Sequence, residues 1–186
     1  MPKISLQTSD EVYKPAEDSW LLARSLPSLP GTVLEIGTGT GLVAVSLALN
    51  HSKVTATDLN PKSIDLAKIN ARKNNVAIEF LIGNQFDPVS GRKFDYIVCN
   101  PPYLPKSSVD YNDKALELAV EGGPTGAEFT IKLVEQTPHY LKENGSLLLL
   151  ISSRMGVLPK GWNREILARE KYLFEELRVE RWSLIR

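Results

Sequence analysis

Asn100-Pro101-Pro102-Tyr103 follows directly on the apolar run 94-FDYIVC-99, at the point where a buried strand has to stop. Proline holds φ at about −65° and lacks an N–H, so two in succession make a stiff turn with acceptors and few donors. Such a turn suits a planar NH2 group. The nitrogen of an amide or of an exocyclic base amine is a poor nucleophile, because its lone pair is delocalised into the neighbouring π-system. The side-chain oxygen of Asn100 and the carbonyl of Pro101 can take the two N–H groups and steer the lone pair toward an incoming methyl. Tyr103 adds a flat face for stacking. Positioning by fixed acceptors then carries the catalysis, and no strong base is needed.

A second group of residues supplies a place for the methyl donor. In 35-EIGTGTG-41 the glycines Gly37, Gly39 and Gly41 recur as G-x-G-x-G, where 32-TVLEI-36 hands over to the helical run 42-LVAVSLAL-49. The spacing is tighter than the G-x-G-x-x-G that cradles a dinucleotide pyrophosphate. Asp58 closes the next apolar run, 53-KVTAT-57, the position from which a carboxylate accepts both hydroxyls of a ribose. It can also cap the helix that begins at Pro61. Asn84 follows 77-AIEFLI-82, where an amide meets an adenine edge. Glu35 sets a negative charge beside the ligand, which favours a sulfonium nucleoside, S-adenosylmethionine, over an anionic dinucleotide.

The elements that must hold these residues alternate. Helical spacing of Trp20, Leu22, Ala23 and Leu26 predicts a first helix over 16–26. The spacing of Ile64, Ala67 and Ala71 predicts another behind Pro61. Thr125-x-x-Glu128 reads as a capping box for a helix to about Gln136, with Pro138 breaking or kinking its end. The run 146-SLLLLIS-152 is a buried strand. Residues 104–124 read as a long polar loop without structure of its own. The tail, 164–170 and 174–185, reads as two strands joined at Lys171-Tyr172-Leu173, with a helix over 162–170 as the alternative. Together these predict an α/β fold, a doubly wound and mainly parallel seven-stranded sheet with an antiparallel C-terminal hairpin, Rossmann-like, in one domain over 1–186.

Composition narrows the function. Lys+Arg and Asp+Glu both number 22, so no net basic field marks a nucleic-acid binder. One cysteine, Cys99, excludes a disulfide framework and a cysteine-rich metal site, and His51 and His139 stand apart, so no metal is expected. No run is long and apolar enough to span a membrane, and the start lacks a signal-peptide core, which points to the cytoplasm.

Taken together, the glycine turn, Asp58 and Asn-Pro-Pro-Tyr resemble the class I S-adenosylmethionine-dependent methyltransferases that act on nitrogen. The stretch 12-VYKPAEDSWLL-22 narrows the resemblance to the HemK-type protein-(glutamine-N5) methyltransferases. Their short archaeal and eukaryotic branch modifies the Gln of Gly-Gly-Gln in class I translation termination factors. The resemblance covers nearly the whole chain. It implies that Tyr13, Pro15 and Ser19 line the cofactor pocket from the lid side. Glu35, Gly37 and Asp58 would hold the methionine and ribose ends and Asn84 the adenine, while Asn100, Pro101 and Tyr103 would hold the target glutamine. The segment 121-EGGPTG-126 matches the acidic-Gly-Gly element beside the substrate channel.

Two departures stand out. The family usually carries Asp where Asn84 stands, and the bacterial members carry a separate N-terminal helical domain for which this chain has no room. The short branch resembles enzymes that pair with a small zinc-binding activator protein along a sheet edge, with 77-AIEFLI-82 the candidate strand. The alternative function is N-methylation of an exocyclic amine of adenine or guanine in RNA or DNA; the charge balance and the chain length argue against it.

Overall fold

A computed structural model describes residues 3–106 and 114–185. Strands β1 (Thr32–Ile36), β2 (Lys53–Asp58), β3 (Glu79–Ile82) and β4 (Phe94–Cys99) alternate with helices α1 (Glu17–Ser25), α2 (Leu42–Leu49) and α3 (Pro61–Lys73). Short strands β5 (Leu104–Pro105) and β6 (Glu121–Gly123) bracket α4 (Lys114–Val120). Then come α5 (Glu128–Tyr140), β7 (Leu141–Ser152), β8 (Trp162–Lys171) and β9 (Glu176–Leu184). The seven-stranded sheet has the order β3-β2-β1-β4-β7-β9-β8. Its first five strands are parallel, and β9 is antiparallel to both neighbours. The strand order therefore reverses between β1 and β4. In open α/β sheets that reversal leaves a crevice at the carboxyl ends of the strands, where ligands bind.

Period-2 alternation assigns each strand residue to a face. Val33 of β1 packs with Leu21 and Leu22 of α1 and with Leu42 and Val43 of α2. Leu34 and Ile36 turn to the other face, against Leu133 and Val134 of α5 and the fully buried Trp182 of β9. Every residue of α2 from Leu42 to Leu47 is buried, which accounts for its apolar circumference. At the head of α3, Asn60 accepts from Lys62 N through its side chain, with Pro61 in the first turn.

The structure departs from the sequence reading in several places. Of the stretch 104–124 read as a loop, residues 107–113 lie outside the described residues; elsewhere it is not structureless, since β5 and β6 pair in parallel and α4 lies between them. A Cβ on Gly126 would stand 2.3 Å from Tyr103 O, and one on Gly122 2.5 Å from Pro102 O, so this segment is pressed onto the proline turn. Only half of the expected capping box forms. Glu128 reaches back to Thr125 N, but the Thr125 hydroxyl donates to the same carboxylate instead of accepting from the helix. Pro138 neither breaks nor ends α5, which runs on to Tyr140; in the last turn its missing N–H costs one bond. The C-terminal segments are the two strands, not a helix. Their turn lies one step later than read, closed by Tyr172 N donating to Glu175 O at 2.7 Å.

Candidate active site

A cavity of about 510 Å³ opens at the reversal between β1 and β4. Tyr13, Pro15, Ser19, Glu35, Gly37, Gly39, Asp58, Asn84, Asn100, Pro101 and Tyr103 all line it. Gly41, the twelfth residue singled out from the sequence, does not. Its φ is +81°, and a Cβ there would meet the Ala67 Cβ at 2.9 Å, so this glycine lets α2 and α3 close up behind the turn. The cavity wall is shaped by the other two glycines, where an added Cβ would enter open space.

The glycine turn is held from the neighbouring strand. Gly37 N and Thr38 N both donate to Thr57 O, at 2.9 and 3.0 Å, and Gly39 N donates to Asp58 Oδ2 at 2.8 Å. The other Asp58 oxygen accepts from Asn60 N at 2.9 Å. Asp58 thus ties the turn to the head of α3 while facing the cavity. Glu35 is 4% exposed and accepts a 2.5 Å bond from the Thr38 hydroxyl. Burial pushes its carboxyl up to about 8, against the Thr38 bond and with the Asp58 charge adding to the rise. Burial raises Asp58 too, opposed by the backbone donors of Asn60 and Gly39. Two carboxylates facing one cavity, both penalised for their charge, form a site that a cation relieves.

At the β4 end, Asn100 Nδ2 donates to Asp18 Oδ2 at 3.0 Å and to Ser19 Oγ at 3.4 Å. Asp18 is 5% exposed, and its other oxygen accepts from Ser19 N at 2.6 Å. A carboxylate only accepts, so the amide of Asn100 has one orientation: nitrogen to Asp18, oxygen away. That oxygen, Oδ1, is shut off from solvent and has no partner among the described residues. A buried orphan acceptor costs about 1–3 kcal/mol, and a small shift of Asn100, which lines the cavity, would offer it to a donor that arrives with the ligand. The Tyr13 hydroxyl points at Asp18 from 3.5 Å.

Sequence reasoning missed Asp18 as a site residue, because an acid in a first helical turn is already accounted for by the helix dipole. It also missed the asparagine pair of α3. Asn70 exchanges bonds with both backbone groups of Gln7, at 2.7 and 2.9 Å, and Asn74 does the same with Ser5, at 2.8 Å each. The two amides pair with the N-terminal segment as a β-strand would and carry it across α3 to Tyr13. Asn70 Nδ2 also donates to Thr40 O at 2.8 Å, joining that segment to the glycine turn. The i, i+4 spacing of two asparagines on one helix face was the available signal.

Strand order, glycine turn and acceptor turn define a class I, Rossmann-like, S-adenosylmethionine-dependent methyltransferase. Residues 13–170 match the methyltransferase small domain family. A Methanocaldococcus jannaschii relative, whose name assigns it provisionally as a protein N5-glutamine methyltransferase, is 42% identical over 97% of this chain and 96% of its own length. The chain belongs to the methyltransferase small domain family, in its protein N5-glutamine methyltransferase branch. The release factor glutamine methyltransferase of Aquifex aeolicus is 34% identical over 77% of this chain, which spans 56% of that protein. Against such bacterial relatives the chain covers about half their length. Among solved structures, Mtq2 of E. cuniculi, determined with Trm112 and described as responsible for methylation of the eRF1 translation termination factor, superposes with a TM-score of 0.71. It covers 94% of this chain and 99% of that one at 22% identity, a likeness of fold. Among the described residues no helix is long and apolar enough to cross a membrane.

Proposed function

We propose that this chain transfers a methyl group to the side-chain amide of the glutamine in the Gly-Gly-Gln motif of a translation termination factor, in the cytoplasm. One observation carries the reading: Asn100 lines the cavity with its amide locked by Asp18 and its buried Oδ1 unpartnered. S-adenosylmethionine would supply an electrophilic methyl on a sulfonium centre. Glu35 fits its cationic end, Asp58 and the glycine turn its ribose, and Asn84 its adenine, with Tyr13 and Pro15 above.

Asn100 Oδ1 and the Pro101 carbonyl take the two N–H groups of the target amide. Held by both, the nitrogen gives up part of its conjugation and presents its lone pair to the methyl. Tyr103 packs against the amide plane. The nitrogen's lone pair would form the new N–C bond while the donor sulfur kept the electrons of the old S–C bond, and one N–H proton would pass to solvent, so Asn100 and Pro101 have only to hold and orient the amide.

Asp18 acts through Asn100 and is a positioning residue. Asp18→Asn can donate as well as accept, so the Asn100 amide loses its single orientation. A misplaced acceptor costs up to about 100-fold, so kcat should fall about 10- to 100-fold. Cofactor affinity should be unchanged, and combining the change with Asn100→Ala should cost nothing further. A purely structural role for Asp18 would instead lower the melting temperature and leave kcat alone.

For a partner, β3 is the first strand of the sheet, and Leu59 and Ile82 beside its end are each 55% exposed. An open edge with apolar flanks supports strand addition by a small zinc-binding activator protein. The deciding experiment is transfer of labelled methyl to a Gly-Gly-Gln factor, its Gln→Ala variant and total RNA, with and without such an activator. Label on the intact factor alone is expected. Label on RNA alone would move the target to an exocyclic base amine while leaving the Asn100 chemistry in place.

A further inference from the structure

The turn between β8 and β9 carries Leu173 and Phe174 side by side, each 87% exposed. Single exposed apolar residues are ordinary, but an adjacent pair at a rigid projection is the kind of patch that binds. This projection is rigid. Besides the Tyr172–Glu175 turn bond, Glu175 Oε1 accepts from Ser152 Oγ at 2.5 Å. Ser153 N donates to Glu176 O, and Glu176 N donates to Ser153 Oγ, both at 2.9 Å. The Tyr172 hydroxyl donates to Glu170, which also pairs with Arg24 of α1. A loose turn would fold its leucine and phenylalanine back onto the protein; this framework holds them out.

Strand order fixes where they point. β4 and β7 are parallel neighbours, with Cys99 opposite Leu149, and Ser152 pairs with Leu177 near the start of β9. Asn100 and the β8–β9 turn therefore lie on the same edge of the sheet; the turn stands two to three strand spacings to the side and about five residues further along, roughly 20 Å away. Electrostatics agree. The phenols of Tyr13 and Tyr103 are raised first by burial, then by Asp18, and in both cases also by the charge of Glu175. Glu175, at the foot of the turn, thus lies near the target side of the cavity, and the exposed pair stands beyond it, at the opposite end of the sheet from β3.

We propose that Leu173 and Phe174 form the docking contact for the protein that carries the target amide, entering an apolar recess beside its glutamine. This rests on the reading of that amide as the target. A glutamine side chain that reaches Asn100 brings its own backbone to the cavity rim. A protein–protein contact of standard size extends well beyond the cavity rim, over ground roughly 20 Å away. Glycines flanking the glutamine offer no side chains for recognition, so a protein of this substrate class must be gripped by contacts outside the cavity. Two apolar side chains offer nothing to a phosphate backbone.

The test is the double variant Leu173→Ser/Phe174→Ser of the full chain, assayed with the intact Gly-Gly-Gln factor and with the activator protein if the wild type needs it. KM for the factor should rise about tenfold or more, as for loss of a buried interface anchor, with kcat at saturation and the affinity for S-adenosylhomocysteine unchanged. Phe174→Leu should retain most of the affinity. An unchanged KM overturns the proposal, and so does a fall in kcat alone. A wild type that is dimeric by light scattering, with a monomeric variant, would assign the patch to a second copy instead. Wild-type chain that labels RNA and not the factor would remove the underlying reading, and the proposal with it. A wild type that labels the factor while the variant matches it would remove the proposal only.

Discussion

Asn100→Ala should lower kcat for methyl transfer by about 100- to 1,000-fold, the loss typical of removing one pre-organised polar contact to a reacting centre. The affinity for S-adenosylmethionine should stay within about threefold, because the Asn100 side chain bonds Asp18 and Ser19 rather than the glycine turn. The substitution deletes an acceptor that the free protein already holds buried and without a partner, at the cost of its own stability. It also strips the buried Asp18 Oδ2 of its amide donor, so Asn100→Ala should lower the melting temperature by a few degrees. Asn100→Asp keeps the size but replaces the amide donor to Asp18 with a second carboxylate that repels it. It should also be impaired. Single-turnover rates, calorimetric cofactor binding and thermal melts separate these effects. Full turnover in Asn100→Ala would end the acceptor-turn mechanism.

The second large effect concerns pH. Glu35 is held neutral in the free protein up to about 8, through burial first and then the nearby Asp58 charge. A cationic cofactor selects the ionised carboxylate, so binding must expel a proton over this range. Below about pH 7 the fraction already ionised falls about tenfold per unit, and Kd should rise with it, about 50-fold from pH 8 to pH 6. Above pH 8 the gain ends, as the cofactor's own α-amino group loses its proton at about 8. The free chain should show the opposite trend. Because the folded pKa lies above the ordinary carboxylate value, the stability linked to Glu35 is present below about 4.5 and is lost as pH rises through 8. Calorimetry in two buffers of different ionisation enthalpy reads the released proton directly. Glu35→Gln should bind weakly at every pH and release none. A Kd independent of pH between 6 and 8 in the wild type would show that Glu35 is ionised before the cofactor arrives.

Much of this was legible in the chain because it is local. A glycine turn between an apolar strand and an apolar helix, and an amide before two prolines, are properties of a few consecutive residues. Their backbone preferences hold in almost any surroundings, and the alternation of the elements then leaves few ways to arrange a sheet. Where neighbours compete, local reading failed. Residues 104–105 and 114–123 carry no strong pattern and become β5, α4 and β6 only against the proline turn. Thr125 looked like a cap, but its hydroxyl is taken by Glu128 itself.

Residue types and their order along the chain were enough to place Glu35, Asp58, Asn84 and Asn100 on one edge, since strand ends in a parallel sheet share a side. Only the folded chain brings Asp18 to Asn100 across 82 residues of sequence, turning an amide of two equivalent orientations into one with its oxygen bare. The shifted carboxyl of Glu35 belongs to the fold as well, because desolvation depends on what surrounds a group and not on its neighbours in sequence. Gly41 reads as part of the ligand turn but serves packing against Ala67, a partner that only the α2–α3 contact supplies.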